Sequence, residues 1–326
     1  MESIFILDNH DKTFKEKGYL KIGKLDADAI ASLIALNREL NIPDFYGCGY
    51  NCGMNSDLHD LRKKMQDEIN KIVLPFTQTI LNDFSHYTAT FVEKMPVEDC
   101  FVKAHQDFSY TDDESIYPSF MCFIPLIDVD IKNAALGFIP YSHKFYDTIR
   151  AFPFPLFKTA VSENDVRLMA YMDIIPAKAG EMIFFNQNTI HGSFTNYSSE
   201  NRLALSLSLV KNGENIYAYI HNPKTKCKTV FKYKVDNYFI VNYHNPTIMD
   251  MYYNGAINVP FEVVEEIELP TIDTSWENIS EKLNQYKLQP NNENLPLIAE
   301  YNTIKKVKKI KSTIVDFLFK IKKSVV

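Results

Sequence analysis

The sequence predicts a mainly β domain with flanking helices, arranged as a double-stranded β-helix, that is, a jelly roll barrel. Short alternating or wholly apolar runs, separated by turn residues, recur between residues 86 and 270. Helical periodicity precedes these runs and returns near the end of the chain. The 326 residues include 23 Phe and 19 Tyr in a composition that is 46% apolar, which is typical of an aromatic-rich sheet protein. Regularly spaced short strands of this kind are characteristic of jelly rolls.

Two helices are predicted before the barrel, after a short helix and strand within residues 11–23. Asp26 is positioned to cap a helix that runs through Leu40, since Asn41-Ile-Pro43 provides a stop signal. Residues 58–82 have helical apolar spacing, although Pro75 is expected to break or kink that helix. Both helices are expected to pack on the outer face of the barrel.

The barrel strands are predicted from alternation and from β-branched or aromatic residues. The expected strands lie at residues 87–93, around 105, and at 119–127, 136–139, 173–175, 181–185, 203–210, 216–220 and 230–235, with an edge strand within 260–270. Residues 145–173 form an insertion. Its aromatic segment 152–157 is either a lid over the site or a cover on the outside of the barrel.

These patterns divide the chain into a domain of residues 1–289 and a C-terminal segment of residues 290–326. The domain has a helical N-terminal part, 1–85, and a barrel core, 86–270; residues 290–296 are predicted to be a linker. Residues 301–326 contain eight Lys and one Asp with apolar residues at helical spacing, which predicts a basic amphipathic helix. Such a helix can contact an anionic membrane peripherally, dock on the acidic body of this chain, or form a homo-oligomer contact.

Composition limits the function classes. The formal net charge of −6 argues against general nucleic-acid binding. Five Cys do not form a disulfide framework, which favours a reducing compartment. Cys48 and Cys52 lack the second pair that a zinc site needs, so we interpret their surroundings as a Gly-rich loop. With no signal-peptide pattern and no 18-residue apolar stretch, we expect a cytoplasmic protein; a peripheral membrane location through its tail is the alternative.

The segment His105-Gln106-Asp107 is the candidate metal site. In an extended segment, residues two apart point to the same side, so this imidazole and this carboxylate can face one ion. His191, which follows the apolar strand at 181–185, is the candidate third ligand. Two imidazoles and one carboxylate form the facial triad of non-haem Fe(II) oxygenases, which leaves positions open for other ligands. His143 is a rival ligand, but its place after Pro140-Tyr-Ser favours a structural loop.

Arg202 follows His191 by eleven residues and opens the alternating run 202–210. A guanidinium group is permanently charged and holds a carboxylate through two parallel hydrogen bonds. Its position at the predicted mouth of the barrel therefore suits a dicarboxylate cosubstrate.

Four segments together resemble the phytanoyl-CoA dioxygenase family of Fe(II)- and 2-oxoglutarate-dependent oxygenases. They are residues 14–22, His105-Gln-Asp107, residues 125–144 and residues 180–202, in the family's order. The sequence departs from the family at Asn133-Ala-Ala, where Asn-Gly-Cys is usual, and at Tyr141, where Gly is usual. Both departures lie in the loop beside the metal, so they bear on the shape of the substrate side.

The resemblance implies a cupin-like barrel that uses Fe(II), 2-oxoglutarate and O2. His105, Asp107 and His191 would bind the iron, and Arg202 would hold the C5 carboxylate of 2-oxoglutarate. Thr90 and Phe123 would line the cosubstrate pocket, with Ser193 or Thr189 as additional hydroxyl donors. The implied activity is a dioxygenase reaction that hydroxylates an aliphatic C–H bond and releases succinate and CO2.

A small polar or carboxylate-bearing metabolite is the expected substrate, because Lys103, Tyr110, Tyr117 and Asn188 lie near the ligands in sequence. Two alternatives stay open: a non-catalytic cupin-like metal-binding or sensor protein, and a hydroxylase that acts on a protein or an acyl thioester. A closed structural metal site generally uses four protein ligands, whereas this sequence offers three and an Arg, which favours the enzyme.

Overall fold

The computed structural model describes residues 3–43, 49–97, 100–114, 119–153, 159–243, 245–306 and 308. Cys48, Tyr117, residues 154–157 of the proposed lid and residues 309–326 of the predicted basic helix lie outside these ranges. The strands are β1 Tyr19–Lys24, β2 Tyr50–Cys52, β3 Phe84–Lys94, β4 Val102–His105, β5 Phe120–Pro125, β6 Gly137–Phe138, β7 Asp173–Ile174, β8 Glu181–Asn186, β9 His191–Ser193, β10 Arg202–Lys211, β11 Ile216–His221, β12 Thr229–Val235 and β13 Val263–Glu268. The helices are α1 Asp8–Lys17, α2 Ala27–Leu40, α3 His59–Thr77, α4 Asp165–Leu168, α5 Asn237–Asn242, α6 Asn245–Tyr253 and α7 Trp276–Gln285.

Two antiparallel sheets face each other, as a jelly roll requires. The larger has the strand order β1-β8-β5-β10-β3-β2, and the smaller has the order β4-β9-β6-β7. Their inner faces meet through aromatic contacts, such as Phe138 of β6 against Tyr19 and Phe185, with ring centroids 4.9 and 5.0 Å apart. A third sheet, β11-β12-β13, completes the described strands. The prediction of a mainly β jelly roll with flanking helices is confirmed.

Alternation along the strands of the large sheet separates its two faces. Leu205, Leu207 and Leu209 of β10 enter an apolar core together with α2 and α3, as predicted for the outer face. The residues between them point inward, toward the small sheet. The polar residues Arg202, Ser206 and Ser208 thereby line the interior of the molecule.

The two predicted helices form, with one difference at an end. Asp26 caps α2 by accepting a hydrogen bond from Ala29 N at 2.8 Å, and Asn41 ends it in the left-handed region at φ 45°. Helix α3 contains Pro75 and ends at Thr77, before the predicted end at Asn82. The proline therefore lies in the final turn and terminates the helix without breaking its body.

The C-terminal segment differs from the predicted linker. Residues 294–306 are helical, and the fully buried Asn294 donates Nδ2 to Met169 O and Met172 O at 3.0 and 2.9 Å. Tyr301 stacks on Phe101 with ring centroids 4.0 Å apart. The linker prediction for 290–296 is therefore wrong, because buried polar and aromatic contacts tie this stretch to the domain. Where the domain ends stays a prediction.

The insertion reaches the interior at Phe152. This side chain is buried, its N–H donates to Tyr219 O at 2.8 Å, and its ring stacks on Phe108 at 3.8 Å. Phe152 therefore lies over the inner cavity described below. Within the described ranges, none of the helices combines the length and the apolar character needed to cross a membrane.

Candidate metal and cosubstrate site

The structure brings His105, Asp107 and His191 together. Strands β4 and β9 pair antiparallel with His105 opposite His191, and the potential ligand atoms of the three residues lie within 4.8 Å of one another. Asp107 Oδ1 lies 3.9 Å from His105 Nε2, and Asp107 Oδ2 lies 3.7 Å from His191 Nε2. Asp107 lies beyond the end of β4, so its position depends on the following loop and not on strand alternation.

Hydrogen bonds from Nδ1 hold both imidazoles in the orientation and tautomer that suit metal binding through Nε2. Nδ1 of His105 lies 2.8 Å from Lys103 O, and Nδ1 of His191 lies 2.9 Å from Thr189 O. A carbonyl oxygen only accepts, so each Nδ1 donates, and in the neutral ring the Nε2 lone pair faces Asp107. Burial, and then His105, lowers the pKa of His191 to about 4, which favours that neutral ring.

The carboxylate completes a set of donors that fits a divalent metal ion. Oδ2 of Asp107 is buried and has no hydrogen-bond partner among the described residues. A buried carboxylate oxygen normally has a donor or a cation beside it. Two neutral imidazole nitrogens and one carboxylate are the ligands of mononuclear non-haem iron sites, so these residues fit Fe(II).

Backbone contacts hold Asp107 in place. Its N–H donates to Gln187 O at 2.9 Å, and its carbonyl oxygen accepts a hydrogen bond from Nε of the buried Arg150. The same guanidinium also contacts Thr148 O and the Glu114 carboxylate. Sequence reasoning missed Arg150, because nothing in the residues around it indicates a partner forty-three positions earlier.

A small cavity of about 80 Å³ joins the three ligands to Arg202. Arg202 is fully buried; Nη1 donates to Ala134 O at 2.9 Å, and Nε has no partner within the described ranges. Its Cζ atom lies 5.2 Å from the centre of the Phe123 ring. Phe123 and Ser193 line this cavity, as the resemblance implies.

Two residues assigned to the cosubstrate pocket lie elsewhere. Thr90 lines the adjoining larger cavity; its hydroxyl accepts from Met54 N at 3.1 Å and donates to Phe91 O at 3.1 Å. Thr189 precedes β9, faces the other way, and donates to Gly18 O at 2.9 Å. Since it lines neither cavity, its assignment as a donor to the cosubstrate requires correction.

Lys94 is a second residue that the sequence analysis missed. It is fully buried and pairs in register with Arg202 across β3 and β10. Its ammonium group donates to Ser193 O at 3.0 Å, to Ser193 Oγ at 2.7 Å and to Phe194 O. Burial, followed by the charge of Arg202, holds the pKa of Lys94 well below its ordinary value. Lys94 therefore ties β9 to the large sheet just beyond His191.

His143, the rival ligand, belongs to a structural turn. Its Nε2 lies 3.1 Å from Lys15 O, and among the described residues the metal-binding cluster contains only His105, Asp107 and His191. The adjacent Tyr141 has φ 64°, and Ala134 of the other family departure has φ 67°. Both departures from the family thus place an L-residue in the left-handed region that favours glycine.

Residues 54–204, just under half of the chain, match the family model of phytanoyl-CoA dioxygenase (PhyH), so the sequence resemblance is confirmed over that stretch. The match indicates an iron- and 2-oxoglutarate-dependent oxygenase. A search of curated proteins found no match.

Among solved structures, the chain is similar to the non-haem α-ketoglutarate-dependent carbocyclase SnoK from nogalamycin biosynthesis. The TM-score is 0.49 at 16% identity, covering 65% of this chain and 86% of SnoK. It is also similar to HygX from Streptomyces hygroscopicus with nickel, 2-oxoglutarate and hygromycin B bound, with a TM-score of 0.47 at 14% identity, covering 64% of this chain and 88% of HygX. The likeness to the family rests on the match over residues 54–204.

Proposed function

We propose that this protein is an Fe(II)- and 2-oxoglutarate-dependent dioxygenase that hydroxylates an aliphatic C–H bond of a small molecule. The reaction consumes the substrate, 2-oxoglutarate and O2 and yields the hydroxylated product, succinate and CO2. One observation carries the proposal: the ligand atoms of His105, Asp107 and His191 converge in a cavity whose far end contains the buried Arg202.

Different residues of the chain would bind the metal ion and the cosubstrate. Nε2 of both histidines and the Asp107 carboxylate would hold Fe(II), which when bound supplies the activation of dioxygen. Arg202 would bind the distal carboxylate of 2-oxoglutarate, because its Nε lacks a protein acceptor within the described residues and Phe123 flanks the guanidinium. The hydroxyl of Ser193 accepts from Lys94, which leaves its own proton available to a ligand.

The positions of the two cavities support a reaction on a separately bound substrate. The larger cavity, of about 230 Å³, and the smaller one share five lining residues, namely Tyr50, Val92, Asp107, Met121 and Ser206. A molecule in the larger cavity therefore lies directly beside the metal ligands.

A structural metal site is less well supported. Closed structural sites generally have four protein ligands, and the described part of the chain offers three at this point. The arrangement leaves room for the exogenous ligands that an oxygenase needs.

The test is succinate release from 2-oxoglutarate by the purified chain supplied with Fe(II), measured with and without candidate substrates. His105→Ala should abolish both iron-dependent turnover and tight Fe(II) binding, because two ligands hold the ion poorly. His59→Ala, which alters an exposed histidine outside the site, is the matched control. Wild-type turnover and Fe(II) affinity in His105→Ala would refute the assignment.

A further inference from the structure

The larger cavity has a distinctive lining. One side is the inner face of β3 and β10, and the other is formed by the loop after Asp107, by Phe152 and by α5. Its aromatic residues are Tyr50, Phe108, Tyr110, Phe152, Phe239 and Tyr243. Among the described lining residues, Asp107 is the only charged one, and Lys and Arg are absent. Its 230 Å³ is below the usual range of ligand pockets, roughly 300–1,000 Å³.

The hydroxyl groups of Thr88, Thr90 and Ser208 along the sheet side are engaged by the protein itself. Thr88 Oγ1 donates to Ser208 Oγ at 2.7 Å, and Thr90 Oγ1 donates to Phe91 O while accepting from Met54 N. Polar groups that are already satisfied attract a charged ligand weakly. This wall therefore presents mainly carbon surface and weak dipoles.

Gln187 is the exception. It lines the cavity and is 1% exposed, and its Nε2 donates to Tyr87 Oη at 2.7 Å. Its Oε1 is buried and has no hydrogen-bond partner in the described part of the chain. Its main-chain oxygen accepts a hydrogen bond from Asp107 N at 2.9 Å. Gln187 is therefore in direct contact with a candidate metal ligand. A buried amide oxygen without a donor is unfavourable unless a ligand supplies one.

We propose that this cavity binds an uncharged small molecule with a flat ring body and a hydroxyl or N–H donor that Gln187 Oε1 accepts. The inference rests on the proposed function, since it identifies the substrate class of that site. Flat rings match aromatic walls by stacking and edge contacts. An anionic group at the end of the cavity away from Asp107 would be desolvated without a cationic side chain among the described lining residues.

This class differs from the carboxylate-bearing metabolite expected from the sequence. Lys103 turns away and pairs with Asp165 at 2.8 Å. The side-chain nitrogen of Asn188 donates hydrogen bonds to His143 O and Tyr146 O. Neither residue lines the cavity, and Tyr117 lies outside the described residues. Of the residues behind the earlier expectation, Tyr110 alone contributes to the described wall.

The test uses three probes of equal ring size: 2-naphthalenemethanol, its methyl ether and 2-naphthoate. Binding to the full metal-free chain is followed by probe fluorescence. The alcohol should bind about three- to tenfold more tightly than the ether, because only the alcohol donates a hydrogen bond. The naphthoate should bind at least about tenfold more weakly than the alcohol.

Gln187→Met, which keeps the length and removes the acceptor, should make the alcohol and the ether bind equally. Gln66→Met is the matched control, since Gln66 is also buried with an unpartnered Oε1 but lies outside the cavity. Gln187→Glu provides a second variant that keeps an acceptor; it should still favour the alcohol and reject the naphthoate further.

Equal binding of naphthoate and alcohol by the wild type would overturn the proposal, as would an unchanged alcohol-to-ether ratio in Gln187→Met. Because these titrations contain no metal, their outcome is independent of turnover. Correct probe selectivity without 2-oxoglutarate turnover refutes only the proposed function, and turnover without selectivity refutes only the substrate class.

Discussion

Lys94 and Arg202 lie opposite each other on β3 and β10, and both cationic side chains are fully buried. Lys94 is satisfied by three oxygens of Ser193 and Phe194, whereas Arg202 keeps Nε without a partner among the described residues. Burial and the charge of Arg202 lower the pKa of Lys94, so positive charge is disfavoured at this pair. An anion bound at Arg202 therefore relieves an unfavourable arrangement as well as forming hydrogen bonds.

Arg202→Gln should weaken 2-oxoglutarate binding by about 10- to 100-fold while Fe(II) stays bound, because a charge-assisted contact of roughly 1.5–3 kcal/mol is lost. Calorimetric titration of the metal-loaded chain with 2-oxoglutarate measures the change. Arg38→Gln, on the exposed side of α2, should have no effect. Unchanged affinity in Arg202→Gln would mean that another group holds the distal carboxylate.

Arg150→Met should lower Fe(II) affinity by about 10- to 100-fold, a typical effect of losing a residue that orients a metal ligand. The reason is the hydrogen bond from Arg150 Nε to Asp107 O, which anchors the loop of that ligand. Glu114→Gln alters a group on the far side of the same guanidinium and should reduce the affinity much less. Equilibrium dialysis measures the Fe(II) affinity of each variant, and thermal melting measures its stability. If Arg150→Met and Glu114→Gln lost the same stability and bound Fe(II) equally well, the positioning role of Arg150 would be contradicted.

Ala134→Gly should stabilise the protein by roughly 0.5–1 kcal/mol, because relief of a left-handed alanine exceeds the entropy that glycine gains on unfolding. Ala134 has φ 67°, and its carbonyl oxygen is the acceptor for Arg202 Nη1. The neighbouring Ala135→Gly, at a buried position without a positive φ, should destabilise the fold instead. Urea denaturation of both variants checks the signs, and a loss of stability in Ala134→Gly would show that the strain is absent.

Stability should fall as the pH drops from 7 to 5, partly through His86. Burial lowers the pKa of His86 from 6.5 to about 4, and its ring nitrogens contact Thr77 Oγ1 and Asn70 Oδ1 at 3.0 and 2.9 Å. In the unfolded chain the ring takes up a proton below pH 6.5, whereas the folded state resists protonation until about pH 4. In this pH range the unfolded state therefore binds more protons than the folded state, so the free energy of unfolding decreases as the pH falls.

His86→Gln should reduce that loss by on the order of 2 kcal/mol between pH 7 and pH 5. The measurement is urea denaturation of wild type and variant at both pH values, with His59→Gln as an exposed control. An identical pH dependence in wild type and His86→Gln would show that His86 makes no contribution.

Truncation should have two distinct outcomes. A chain ending at residue 301 keeps the buried Asn294 and the Tyr301–Phe101 stack, so it should remain folded and bind Fe(II). A chain ending at residue 289 loses these contacts and exposes the apolar surface beneath β4, so its melting temperature should drop by several degrees. Equal melting temperatures for the two truncations would support the linker predicted from the sequence.

Much of the fold could be predicted because strands and helices leave periodic patterns, as in 203–210 of β10 and in the Asp26-capped α2. The clustering of His105, Asp107 and His191 could be predicted because these residue types carry characteristic metal-binding chemistry; their role as metal ligands stays a prediction. Other positions depend on long-range geometry. Lys94, Arg150 and Gln187 become site residues only through pairings with distant strands and loops. Thr189 was misassigned because it lies in the turn before β9, where strand alternation does not set the direction of the side chain, and its hydroxyl donates to Gly18 O.

The stack of Tyr301 on Phe101 also has a consequence for biosynthesis. Phe101 directly precedes β4, which carries His105, and the strand's supporting layer includes Trp276, Leu283, Leu297 and Tyr301, which follow the last candidate ligand, His191, in the chain. A nascent chain that has already produced every metal ligand still lacks that layer. We therefore expect iron loading to follow the synthesis of residues 276–301, and not to begin as soon as His191 has been made.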